Sequence, residues 1–116
     1  MTNEQVFITD VGPRDGLQNQ SRILSVEQRV QLIGALADAG VGQIEVGSFV
    51  SPKAVPAMAG TDLVVRQLQA DNHYTTPNVA LIPNLKGYHL ARSAGLSRVV
   101  MGLYASDSMA QKNVGM

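Results

Sequence analysis

Apolar positions along the chain alternate between short continuous runs and longer stretches at helical spacing. The runs read as buried strands. They are Val6-Phe7-Ile8, Gln43 to Gly47 with one acid at Glu45, Asn78 to Ile82, and Arg98 to Leu103. Between them the spacing changes to that of helices. Ser25 with Gln28 three residues on forms a capping box, Val26, Val30, Ile33 and Ala37 recur along one face, and Gly40 marks the end. Pro52 suits the first turn of a short helix reaching Met58, which Gly60 breaks, and a further helix is expected from Thr61 to about Ala70. A third covers Lys86 to Ala94, with Asn84 before it as a cap and Gly95 after it. Asp71 to Pro77 and Tyr104 to Asp107 read as loops, and Ser108 opens what looks like another helix. Two helix-to-strand joints, Ala39-Gly40-Val41 and Ala94-Gly95-Leu96, echo one another, as a reused strand–helix unit would.

Strand and helix in strict alternation, with apolar strands and short joints, predict an α/β fold of parallel strands covered by helices. The polar residues Arg14, Asp15, Gln18, Ser48, Asn84 and Ser106 follow strands, and Glu45 lies within one. Ligands of parallel α/β folds sit at the carboxyl ends of the strands, so these side chains are expected to converge on one face. A dinucleotide fold would carry a Gly-rich phosphate loop after the first strand. Here Gly12-Pro13-Arg14-Asp15-Gly16 lacks that spacing, and Pro13 interrupts the backbone donors. The pattern therefore favours a barrel. A (β/α)8 TIM barrel takes about 250 residues, so four strands and three helices amount to roughly its N-terminal half. The expectation is a single partial TIM-barrel domain over residues 1–116.

Composition narrows the function. Nine basic and nine acidic residues balance, which gives no electrostatic footprint for nucleic acid or an anionic membrane. The absence of Cys removes a disulfide framework, a thiol nucleophile and a Cys-based zinc site from this chain. The first residues carry no basic segment and apolar core of a secretory signal, and no apolar stretch has membrane-spanning length. A soluble cytoplasmic protein is expected.

The organising stretch is Thr9 to Asn19, where a strand ends in a Gly/Pro-shaped turn presenting adjacent Arg14 and Asp15, then Gln18 and Asn19. A carboxylate there can hold a hard metal ion, and a guanidinium can face a developing oxyanion. The alternative is a solvated turn with a local ion pair. Glu45 is harder to explain blandly, since a carboxylate buried in an apolar strand needs a partner, for which Arg14 is the candidate. Ser48 and Gln18 are candidate substrate contacts or, alternatively, loop hydrogen-bonding residues. His73, in a loop, and His89, on a helix, do not form a ligand pair.

Val11-Gly12-Pro13-Arg14-Asp15-Gly16-Leu17-Gln18-Asn19 resembles the opening signature of the 3-hydroxy-3-methylglutaryl-CoA lyases. Ile44 to Lys53 with Val55-Pro56, Pro83 to Gly87, and the region from Ala105 to Asn113 resemble the same family, so the likeness spans the chain. Related Claisen-type metal enzymes share a looser version of the first block. The resemblance implies a TIM barrel that cleaves 3-hydroxy-3-methylglutaryl-CoA to acetyl-CoA and acetoacetate in leucine degradation, with Mg²⁺ or Mn²⁺ as cofactor. It implies Asp15 as a metal ligand, Arg14 as the enolate-stabilising catalytic residue, and Glu45 as support for the catalytic cluster. Partners would be an acyl-CoA and, in the complete protein, further copies of itself. The family's His-x-His pair, Asn ligand and catalytic Cys belong to later strands, and none is present here; Asp107 stands where the family has Glu. The competing expectation is an inert, truncated half-barrel that self-associates.

Overall fold

A computed structural model describes residues 5–102. Four parallel strands run β1 (Thr9–Asp10), β2 (Gln43–Ser48), β3 (Asn78–Leu81) and β4 (Val99–Val100), side by side in chain order. Three helices link them: α1 (Val26–Asp38), α2 (Thr61–Ala70) and α3 (Leu85–Ser93). Among the described residues no helix is long and apolar enough to cross a membrane.

Local signals account for the helix ends. Ser25 Oγ accepts from the Gln28 amide at 3.1 Å while Gln28 Oε1 accepts from the Ser25 amide at 2.9 Å, so the box closes in both directions. Asn84 caps α3 by accepting from the Gly87 amide at 2.9 Å. Each cap is worth about 1 kcal/mol. Gly40 and Gly95 stop α1 and α3 with φ of 92° and 98°, a left-handed turn that a Cβ would strain.

The helices cover one face of the sheet. Ile33 of α1 and Val64, Val65 and Leu68 of α2 pack with Ile44 and Val46 of β2, Ala80 of β3 and Ala91 of α3. Each fully buried Val, Ile or Leu in such a core contributes roughly 1.5–3 kcal/mol. Ile44 and Val46 lie in this core, so the intervening Glu45 is directed to the opposite face. Simple alternation would send Gly47 after Glu45, but the ladder to β3 slips between Glu45 and Gly47. A Cβ at Gly47 would instead meet Arg29 and Thr61, in the helix layer.

Several expectations need correction. Val6-Phe7-Ile8 is not a buried strand: β1 begins at Thr9, and the three side chains are 83, 66 and 61% exposed. Among the described residues β1 is an edge strand, and of this run only the Ile8 carbonyl joins the ladder, through the Gln43 amide. The Gly/Pro stretch is one π-helical turn, Gly12–Gly16, rather than an irregular loop. Pro13 costs it nothing, since an amide at a helix start has no partner to lose. The helix expected at Pro52 is a set of turns followed by a 3₁₀ turn at Pro56–Met58, with Pro56 opening it. Ile82 falls outside β3 and Arg98 outside β4; Leu103, the loop at Tyr104 to Asp107 and the helix from Ser108 lie outside the described residues.

Candidate functional site

The π-helical turn directs Arg14 to Glu45 inside β2. The amides of Arg14 and Asp15 both reach back to the Val11 carbonyl, at 3.1 and 2.7 Å. Asp10 Oδ1 accepts from the Gly12 amide at 2.8 Å and fixes how the chain leaves β1. A Cβ on Gly12 would come within 3.0 Å of that same oxygen, so a side chain there would crowd the turn. Turns of this type recur at functional sites because the extra residue redirects a side chain.

Arg14 is the hub. Its Nε donates to Glu45 Oε1 at 2.5 Å, and its Nη1 lies 3.2 Å from Asp15 Oδ1 and 3.5 Å from Gln18 Oε1. The Glu45 side chain is 5% exposed and that of Arg14 20%, whereas Asp15 is 63% exposed. Glu45 is thus a buried carboxylate neutralised by a guanidinium that itself reaches the surface. The pair with Asp15 is a surface contact worth little. Arg14 Nη2 makes no hydrogen bond among the described residues, which leaves donors for a bound oxyanion.

Of the residues expected at the site, Arg14, Asp15, Gln18 and Glu45 are brought together. Ser48 is buried at the end of β2; among the described residues its Oγ has no hydrogen-bond partner and it does not join the Arg14 network. Asn84 serves as a helix cap, and Ser106 lies outside the described residues. His73 sits in the loop before β3 and His89 packs its ring edgewise against Tyr88 on α3. Sequence reasoning missed Asp10 and Arg29. Arg29 is 1% exposed and donates to the Ala59 carbonyl at 2.8 Å and Thr61 Oγ1 at 2.9 Å, and burial draws its pKa down. Position was the available signal: Arg29 lies on the Val26–Ile33 stripe of α1, at helical spacing from both.

The oxygen of Asp15 suits a hard divalent cation as one ligand. Among the described residues no group of three His, Cys, Asp or Glu side chains gathers, so these residues alone do not make a metal site.

Parallel strands in sequential order with helices on one face are the architecture of part of a (β/α) barrel, and in it Arg14, just past β1, pairs with Glu45 inside β2. Comparison with known proteins agrees. The HMGL-like family model matches residues 5–116, and the chain belongs to that family. It is 48% identical to the (R)-citramalyl-CoA lyase of Chloroflexus aurantiacus, over 95% of this chain and 37% of that protein. It is 46% identical to the hydroxymethylglutaryl-CoA lyase of Pseudomonas mevalonii, over 96% of this chain and 36% of that protein. The crystal structure of the Pseudomonas aeruginosa hydroxymethylglutaryl-CoA lyase superposes with a TM-score of 0.81 at 40% identity, covering 97% of this chain and 37% of that one. An Acinetobacter baumannii HMG-CoA lyase, solved with coenzyme A and 3-methylmalate, superposes with a TM-score of 0.85 at 35% identity over 95% of this chain and 35% of that one. The chain therefore spans about a third of the length of these relatives, and its fold is a partial barrel.

Proposed function

We propose that this chain carries the enolate-stabilising part of a carbon–carbon lyase that cleaves 3-hydroxy-3-methylglutaryl-CoA to acetyl-CoA and acetoacetate. The observation that carries the reading is the pairing of Arg14, in the turn after β1, with the buried carboxylate of Glu45 inside β2. In retro-Claisen cleavage a base removes the proton of the tertiary hydroxyl. The bond between the hydroxyl-bearing carbon and the carbon alpha to the thioester then breaks, and its electron pair becomes the thioester enolate. Arg14 presents guanidinium donors where that enolate oxygen develops, an interaction stronger in the transition state than in the substrate. Glu45 holds the guanidinium in one orientation so that no reorganisation is needed as charge appears. Gln18 limits the swing of Nη1, and Ser48 at the end of β2 is a substrate contact in this reading. The general base and the acid that protonates the enolate come from outside the described residues.

In this reading Asp15 would contribute one oxygen to a divalent ion, Mg²⁺ or Mn²⁺, which as a Lewis acid would polarise the substrate's oxygens. Citramalyl-CoA is the second substrate to consider, on the strength of the Chloroflexus relative's name and its 48% identity. The working compartment in this proposal is the cytoplasm, and the complete enzyme is a homo-oligomer.

The test assays the 116-residue chain against both acyl-CoA esters with Mg²⁺ and Mn²⁺, alone and co-expressed with the C-terminal two-thirds of a relative. The expected result is no turnover alone and turnover on complementation. Activity of the chain alone would sink the shared-site argument. Inactivity in both samples, with a stable self-associated chain, would favour the inert half-barrel. In the complemented enzyme Asp15→Ala is expected to weaken metal affinity and activity together, and an unchanged metal titration would make Asp15 a plain turn residue.

A further inference from the structure

β2 has two arginines working on it, and only Arg14 touches the carboxylate of the site. Arg29 approaches from α1 on the helix side, where the ladder slips between Glu45 and Gly47. A Cβ built on Gly47 would lie 2.7 Å from Arg29 Nη2 and 2.6 Å from Thr61 Oγ1. The guanidinium therefore occupies the space a side chain would need, and the strand can turn Gly47 toward the helices only because that side chain is missing. Bulges of this kind re-aim the residues beside them. Here the residue beside the slip is Glu45.

We propose that Arg29 is a positioning residue for the Arg14–Glu45 pair: it plugs the slip in β2 and so holds Glu45 turned toward Arg14. Its two anchors are spaced for this. The Ala59 carbonyl and Thr61 Oγ1 belong to the entry of α2, and Thr61 Oγ1 also donates to the Met58 carbonyl at 2.8 Å. The hydroxyl is thus used both as acceptor and as donor, and the planar guanidinium ties α1 to the α2 entry while it packs against Gly47 of β2. Space filling alone does not explain the choice. Among the described residues Arg29 forms no salt bridge, and its Nε has no hydrogen-bond partner. A buried cation held by neutral oxygens costs more desolvation than Met or Leu would. What a flexible apolar chain cannot supply is a rigid fork spanning two anchors.

The proposal rests on the reading of Arg14 and Glu45 as site residues, but its readout is the ion pair itself. A failed lyase assay and an unmoved ion pair are therefore separate results. The experiment uses the isotope-labelled 116-residue chain and follows the Arg14 Nε–H resonance, assigned by its loss in Arg14→Lys. In Arg29→Met the resonance is expected to shift toward that of a free arginine, and its hydrogen exchange to accelerate roughly tenfold or more, the factor for losing one charge-assisted hydrogen bond. The backbone spectrum of the Ile44, Val46 and Ala80 core should stay native. A folded Arg29→Met chain with the Arg14 resonance unmoved overturns the proposal. If that variant does not fold, Thr61→Val removes one anchor and Thr61→Ser keeps it. The Val variant is then expected to move the resonance and the Ser variant to leave it; Val leaving it in place, or both moving it alike, overturns the proposal as well.

Discussion

Two arginines flank β2, and they are buried on different terms. Arg14 faces a carboxylate, reaches solvent at one end and keeps donors to spare. Arg29 is buried, among the described residues bonds only neutral oxygens, and is tied to the framework. The difference separates a group kept ready for a ligand from one that fixes the geometry around it. A guanidinium paired with a carboxylate can hold its orientation and still offer a free edge. One whose donors point at backbone and hydroxyl oxygens is part of the scaffold.

The largest effect is expected of Arg14→Lys in the complemented enzyme. Turnover is expected to fall about 10² to 10³-fold, the loss for one oxyanion donor, with the unfolding midpoint little changed. Near-normal turnover would remove Arg14 from the chemistry. Next comes a pair of stability measurements by denaturant titration. Glu45→Ala strands a mostly buried cation and is expected to cost about 2–4 kcal/mol. Arg29→Met strands only neutral partners and removes a desolvated charge, so about 1–2 kcal/mol is expected. Equal costs would erase the distinction. Gly47→Ala forces a methyl to within 2.6–2.8 Å of Thr61 and Arg29. Overpacking of about 1–3 kcal/mol should follow, relieved only in part when Arg29→Met is added because the Thr61 contacts stay, as a double-mutant cycle would show. The smallest effect belongs to Thr61→Ser, which keeps the hydroxyl and loses one methyl. It should cost about 1 kcal/mol, and a larger loss would mean that packing rather than the hydrogen bond secures the α2 entry.

Features set by near neighbours in the chain were legible in the sequence. The Ser25–Gln28 box, the Asn84 cap and the glycines at 40 and 95 each depend on contacts within a few residues, and each occurs as expected. The Arg14–Glu45 partnership was legible for another reason: a carboxylate in an apolar strand has to find a cation, and few were available. Burial of Val6-Phe7-Ile8 was not legible, because an apolar run says nothing about whether a layer covers it. The π-helical turn was hidden since Gly12, Pro13 and Gly16 read as breakers, although a proline at a helix start breaks nothing. Pro52 and Pro56 were equally good helix openers by type, and hydrogen bonding chose the second. Arg29 escaped because a charge inside a helix is usually assigned to the solvent face, even on the apolar stripe.

The strictly sequential strand order has a consequence for how the fold is reached. Thr9 pairs with Gln43 and Ile44 with Asn78, each 34 positions on, while Ala80 finds Val99 after only 19. Among the described residues every strand therefore docks on the one made just before it. Loop closure stays short at each step, which limits the entropy lost before contacts form. A sheet wired this way can be laid down in the order of synthesis, N-terminal strand first. Arg14 and Glu45 belong to its first two strand–turn units, so their pairing is within reach while later strands are still on the ribosome.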